Sequence, residues 1–152
     1  MLEVGATAPV IPVKDDRGDT VSLADFRGQR VVLYFYPKSD TPGCTIEACE
    51  LRDDFAGFGD LGVTVLGASP DPVGAQAKFR ASFSLPFPLL ADEDHALADA
   101  FGVWGPKTFM GREYVGVSRT TFIVEADGTV GHVFANVVPT GHARQLLDHL
   151  RG

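Results

Sequence analysis

Val31-Val32-Leu33-Tyr34-Phe35-Tyr36-Pro37-Lys38-Ser39-Asp40-Thr41-Pro42-Gly43-Cys44-Thr45-Ile46-Glu47-Ala48-Cys49 passes from an apolar and aromatic run through a proline-bounded loop into a helix start signal. The run Val31 to Tyr36, bounded by Gly28 and Pro37, predicts a central strand buried on both faces. After the loop Lys38 to Asp40, Thr41 is placed to cap a helix. Pro42 suits its first turn, where no amide hydrogen bond is needed, and the helix is expected to continue to about Phe55. Cys44 stands at the mouth of that helix. In α/β proteins the loop from strand to helix lies at the carboxyl end of the sheet, the usual place for a site.

Cys44 and Cys49 are the only two cysteines of the chain. In an ideal helix, five steps leave their side chains about 140° apart and their Cα atoms roughly 8.6 Å apart. A disulfide rarely tolerates more than about 7 Å. The pair can bond only if the helix opens, which describes a redox switch better than a permanent staple.

The flanking sequence supports an α/β fold. Gly62 to Ser69 predicts a second buried strand, Asp71-Pro72 starts a helix reaching about Phe83, and the βαβ alternation implies parallel pairing. Phe87 to Ala91 is expected as a short strand. Asp94 to Phe101 is expected as a short helix, with Ala96, Leu97, Ala100 and Phe101 on one face. Thr120 to Glu125 and Thr129 to Phe134 flank Ala126-Asp127-Gly128, a strong hairpin signal. A last helix from Thr140 turns Ala143, Leu146, Leu147 and Leu150 inward. At the other end, Val10 to Val13 and Thr20 to Leu23 flank Asp15-Asp16-Arg17-Gly18 as an N-terminal β-hairpin. Gly102 to Gly116 lacks clear periodicity and is expected as a long packed loop carrying Trp104, Phe109 and Tyr114. The aromatic residues Phe79, Phe83 and Phe87 are expected in the core or the pocket wall.

At 152 residues the sequence suits one domain, residues 1–152. A chain of that length buries roughly 68–70% of the surface its unfolded form exposes. Two cysteines do not make a secreted disulfide framework, so a reducing compartment, the cytoplasm, is expected. No apolar run approaches the ~20 residues of a membrane span. A net charge of −7 argues against nucleic-acid and anionic-membrane partners. His95, His132, His142 and His149 show no metal-ligand clustering and are expected in solvent. The cysteine spacing lacks a Cys-x2-Cys zinc half-site. Phosphate-binding glycine loops and Gly-x-Ser-x-Gly are absent.

A thiol attacks only as thiolate, and a helix N-terminus stabilises that anion through its unpaired amides and dipole. Thr41, three residues before Cys44, is close enough for its hydroxyl to bond the sulfur or a bound substrate, or simply to cap the helix. Pro37 and Pro42 limit backbone freedom and remove competing amide donors. Arg119 begins a predicted strand. As a lone arginine it reads as exposed, but a guanidinium brought beside Cys44 would favour the thiolate. Cys49 by itself could equally be a small buried hydrophobe.

The pattern Pro37-x-x-x-Thr41-x-x-Cys44 resembles the signature of the peroxiredoxins. The wider stretch Tyr34 to Thr45, with Cys49 following, is similar to the subgroup named for the bacterioferritin comigratory protein, also called the Q type. Gly102-Val103-Trp104-Gly105, Phe109-Met110-Gly111 and Ser118-Arg119-Thr120-Thr121-Phe122-Ile123 resemble its later segments. The resemblance implies a thioredoxin-like fold, with a central mixed β-sheet flanked by helices, and a thiol peroxidase without metal or organic cofactor. It implies Cys44 as the peroxidatic and Cys49 as the resolving cysteine, with Thr41 and Arg119 as activating partners and Pro37 as pocket wall. Glu47 is a further family position, placed to orient Arg119. The implied partners are a peroxide substrate and thioredoxin or a similar dithiol reductant, acting on a monomer. The alternative is a redox sensor or interaction protein using the same Cys44–Cys49 switch. A general disulfide oxidoreductase ranks behind both, because it expects Cys-x-x-Cys.

Overall fold

In the computed structural model, which describes residues 1–152 apart from the side chain of Phe109, the apolar run forms strand β3 (Arg30–Phe35). Its side chains alternate, as the pleat requires. Val32 and Tyr34, followed by Tyr36, enter one buried cluster, while Val31, Leu33 and Phe35 enter another on the opposite face. Pairing with β4 (Val63–Ser69) on one side and β8 (Thr120–Val124) on the other places it inside the sheet, and fully burying each Val, Leu or Phe contributes about 1.5–3 kcal/mol. The seven-stranded sheet is organised around it.

Along the chain the elements are β1 (Val13–Asp15), β2 (Thr20–Val21), β3, helix α1 (Pro42–Asp53), α2 (Phe55–Asp60) and β4 (Val63–Ser69), then α3 (Val73–Phe83), β5 (Leu89–Ala91) and α4 (Ala96–Phe101). They continue with β6 (Trp104–Phe109), β7 (Arg112–Val117), β8 (Thr120–Val124), β9 (Val130–Phe134) and α5 (His142–Arg151). The sheet order is β2-β1-β5-β4-β3-β8-β9. β4 runs parallel to β3 and β5, whereas β1 and β8 pair antiparallel with their neighbours, so the sheet is mixed. Helices α1, α2, α3 and α5 cover the Tyr34 face, and α4 covers the Phe35 face. No helix among the described residues is long and apolar enough to cross a membrane.

Several expectations change at the element ends. The N-terminal hairpin forms, but β1 reaches Asp15, and Leu23 starts a 3-10 turn capped by Ser22 instead of extending β2. The first helix stops at Asp53; after Asp54 a second short helix, α2, follows that the sequence did not signal. Gly57 and Gly59 lower its intrinsic helicity, and burial of Phe58 compensates. In α4 the buried positions are Leu97, Ala98 and Phe101, while Ala96 and Ala100 are only partly covered. Phe79 and Phe87 lie in the core and Phe83 packs against its rim.

The largest correction falls on Gly102 to Gly116, which is a two-stranded ribbon of β6 and β7 rather than a loop. Met110 and Gly111 both have positive φ, at 52° and 77°, as the tight turn joining the strands demands. Residues 112–115 are exposed, so no alternation toward a core marked the segment as strand.

Gly67 of β4 lies opposite Tyr34 in the parallel ladder. A Cβ there would stand 2.9 Å from both the Tyr34 ring and Leu89 Cδ2. Because these neighbours are buried and interlocked, Gly67→Ala should destabilise the protein by about 1–3 kcal/mol. The expected readout is a lower urea midpoint with an unchanged m-value.

Candidate active site

The parallel and antiparallel neighbours of β3 bring distant residues to one point. β3 ends at Phe35, which pairs with Thr120 at the start of the antiparallel strand β8. Arg119 immediately precedes that strand, so its side chain emerges where the chain leaves β3 for α1. Cys44 lies in the first turn of α1, with Pro42 at the start of the helix and Thr41 in an extended conformation at the cap position. Glu47, three residues on, shares the face of Cys44.

Arg119 joins these pieces. Its Nη2 donates to Cys44 Sγ at 3.3 Å and its Nη1 to Glu47 Oε1 at 2.8 Å. The pair Cys44 and Glu47 is only 1% exposed, and the Arg119 side chain is 16% exposed. The lone-arginine reading of an exposed side chain is therefore corrected: packing at the end of β3 encloses it. Gly43 allows the approach, since a Cβ there would lie 3.2 Å from Nη2. Burial works to lower the proton affinity of Arg119, and attraction by Cys44 and Glu47 outweighs it, leaving the guanidinium held above its usual range.

Glu47 is the electrostatically tense member. Burial pushes its carboxyl from the ordinary 4.5 up to about 7, against the attraction and hydrogen bond of Arg119. Its Oε2 has no hydrogen-bond partner among the described residues, and neither has the buried Tyr34 Oη. Burial also drives the Tyr34 phenol well above its usual range, and the charges of Tyr36, Glu47 and Cys44 add to the effect.

Thr41 departs from expectation. Its hydroxyl donates to Lys38 O at 2.8 Å and makes no helix-cap bond. Asp40 adopts a left-handed conformation (φ 60°) just before it, turning the loop so that the Lys38 carbonyl comes within reach. The hydroxyl proton is thus taken by the loop, while the oxygen keeps its acceptor capacity. Pro37 follows β3 after Tyr36, half-buried and without an amide proton.

Both cysteines are free thiols, Cys44 buried and Cys49 half-buried. They occupy one continuous helix. Arg52, one turn beyond Cys49, donates from Nη1 to Phe83 O at 2.8 Å and from Nε to Asp53 Oδ1 at 2.9 Å. The first of these bonds ties the far end of α1 to the end of α3. No motif pointed to Arg52, because the tie depends on where a distant helix ends.

His142 corrects the expectation of solvated histidines. It is buried at the start of α5, with Nε2 2.8 Å from Thr121 Oγ1 and Nδ1 2.9 Å from Gln145 Oε1. Burial lowers its proton affinity, and the nearby Arg119 charge acts in the same direction. Docking of α5 over β8 and β9 covers the ring, which spacing alone could not reveal.

Comparison with known proteins agrees with this geometry. Residues 4–133 match the AhpC/TSA family. The chain is 45% identical over 150 residues to peroxiredoxin Bcp of Escherichia coli, covering 99% of this chain and 96% of that protein. It is 42% identical over 150 residues to peroxiredoxin Bcp of Bacillus subtilis, with the same shares of the two chains. Among solved structures, the Xanthomonas campestris bacterioferritin comigratory protein, studied for alkyl peroxide reduction in trapped intermediate and ligand complexes, superposes with a TM-score of 0.91. That likeness is at 34% identity and covers 99% of this chain and 96% of the other. With a thiol at a helix mouth under an arginine, a thioredoxin-like sheet behind it and relatives matching along almost the whole length, the chain belongs to the AhpC/TSA family, in its Bcp and peroxiredoxin Q group.

Proposed function

We propose that this peroxiredoxin reduces hydrogen peroxide and organic hydroperoxides through Cys44, with Cys49 resolving the oxidised thiol within the same chain. The observation that carries the reading is the 3.3 Å contact from Arg119 Nη2 to Cys44 Sγ at a helix N-terminus. A thiolate there is stabilised by the guanidinium and by the helix amides. Its sulfur attacks one peroxide oxygen and the O–O bond breaks. Cys44 becomes a sulfenic acid, and the departing oxygen takes a proton as water or alcohol.

Positioning contributes as well, because whatever stabilises a thiolate also weakens it as a nucleophile. In this reading Arg119, the Cys44 amide and the acceptor oxygen of Thr41 receive the peroxide. The Thr41 oxygen can accept the peroxide O–H, while the donors stabilise charge as the bond breaks. Pro37 walls the pocket, and Glu47 holds the second arm of Arg119. Fraying of the first turns of α1 then lets Cys49 condense with the sulfenic acid, releasing water and forming a disulfide. Thioredoxin or a similar dithiol reduces it by exchange. One chain, a single domain spanning residues 1–152, supplies both sulfurs, so a cytoplasmic monomer suffices.

Cys44→Ser should abolish peroxide consumption. Cys49→Ser should leave the first oxidation nearly intact and block recycling by thioredoxin; equal loss of both steps contradicts the resolving role. Many turnovers per chain with a dithiol present are expected, whereas a sensor would react once. A disulfide mapped by mass spectrometry should join Cys44 and Cys49 of one chain.

Arg119→Met removes a donor to the reacting centre. It should slow peroxide reaction by about 10²–10³-fold, the scale of about 2.7–4 kcal/mol for one such donor, measured as kcat/KM with hydrogen peroxide.

Glu47 gives a pH signature. Its folded-state value of about 7 lies above the ordinary 4.5, so the folded protein binds the extra proton. That contribution to stability is fully present below the ordinary value and is lost as pH rises through about 7. Relative to Glu47→Gln, the wild type should lose roughly 3 kcal/mol between pH 4.5 and 8. Denaturant titrations across that range check it, and parallel pH profiles for the two proteins would contradict it.

A further inference from the structure

Beneath the loop that precedes α1 lies a chain of polar side chains that the reaction, as read above, does not use. Tyr36 Oη donates to Gln76 Oε1 at 2.6 Å. Gln76 Nε2 donates to Leu90 O and to Ser69 Oγ, both at 2.8 Å. Ser69 Oγ donates to Asp71 Oδ2 at 2.6 Å, and that same oxygen accepts the backbone N–H of Ser39 at 2.7 Å. The Asp71 amide returns a bond to Ser69 Oγ at 3.3 Å. Gln76, Ser69 and Tyr36 are buried, and Ser39 is 9% exposed. A buried network of this kind is costly when partly satisfied and rigid when complete; here the chain runs unbroken from Leu90 to Ser39.

Its end point is the informative part. Ser39 lies between Pro37 and Thr41, and the Asp71 bond is the one long-range hydrogen bond to residues 37–41 among the described residues. The next residue, Asp40, is non-glycine at φ 60°. Such a conformation costs of order 1–3 kcal/mol and persists only where the surroundings over-determine it. The polar chain and the left-handed residue are independent observations, and they meet at adjacent positions.

We propose that Asp71 is a positioning residue for the peroxide reaction: its carboxylate, backed by Ser69 and Gln76, pins the Ser39 amide and so holds the turn at Asp40 that presents Thr41 and Cys44 at the mouth of α1. The proposal rests on the thiol-peroxidase reading and adds a residue to it. Small displacements of reacting groups are costly to a reaction that depends on alignment. The pin lies upstream of Cys44, on the strand side, whereas disulfide formation needs the helix downstream to fray. The two steps should therefore respond differently to its loss.

The test is rapid-quench kinetics on the full chain with hydrogen peroxide, following Cys44 sulfenic acid and then the Cys44–Cys49 disulfide by mass spectrometry. Asp71→Ala should slow the first step by at least about tenfold, the scale of one charge-assisted hydrogen bond, and leave the disulfide step within about twofold. Asp71→Asn should recover most of the loss, because its amide oxygen can accept from the same two donors. Exchange of the Ser39 amide proton, followed by NMR in the reduced protein, should accelerate in Asp71→Ala. Should that variant fail to fold, Ser69→Ala removes the donor that steadies the carboxylate and should show the same one-sided slowing in smaller measure. An unchanged first step, equal slowing of both steps, or an asparagine variant no better than alanine would overturn the proposal while the peroxidase reading stands. A wild-type protein that consumes no hydrogen peroxide overturns both together.

Discussion

A single guanidinium must serve two acidic groups at once. Arg119 reaches Cys44 Sγ with one arm and Glu47 Oε1 with the other. A planar fork holds both partners in fixed directions, which the freely rotating ammonium of a lysine does not. The arrangement makes thiol and carboxylate rivals for one cation. When Glu47 is neutral, the positive charge acts on the sulfur alone; when Glu47 ionises, part of that charge is neutralised one helical turn away. A carboxyl pushed to about 7 by burial thus shares its cation with the Cys44 sulfur. Removing one partner of such a buried pair leaves an uncompensated charge, and the cost far exceeds what the pair contributes to folding.

The rest of the molecule divides into parts that hold still and a part that must move. β3 is enclosed on both faces, the loop after it is tied through Ser39 to Asp71, and Arg52 fixes the far end of α1 to α3. Between these anchors lies the helical stretch that separates Cys44 from Cys49. Helix geometry keeps two cysteines at that spacing from bonding. In the proposed reaction, peroxide reduction therefore belongs to the intact helix and disulfide formation to an opened one.

Legibility varied with the kind of information each residue carried. The continuous apolar run Val31 to Tyr36, the Pro42 start of α1 and the inward face of α5 follow from local pattern and short-range sterics, and they could be read directly. The β6–β7 ribbon could not, because its strands face solvent and its turn places Met110 where Asn or Gly is usual. The α2 helix was hidden by its glycines. At the site, Cys44 and its helix mouth were visible from spacing. Arg119 became more than a surface charge only through the family resemblance, and Glu47 looked like any helix carboxylate. The hydroxyl of Thr41, expected at the sulfur, at a bound substrate or as a cap, donates to the Lys38 carbonyl, a bond that depends on the left-handed turn at Asp40 rather than on spacing.

What the sequence alone determined is therefore the local chemistry: a thiol at a helix start, a second thiol too far round the helix to reach it, and a strand apolar enough to lie in the centre of a sheet. The tertiary structure decided which charges meet that thiol. Pairing of β8 against β3 carries Arg119 across 75 residues of sequence to Cys44, and packing of α1 against the sheet buries Glu47 beside it. Electrostatic environment depends on distance and on exclusion of water, and both are set by chain segments whose separation in sequence says nothing of their separation in space.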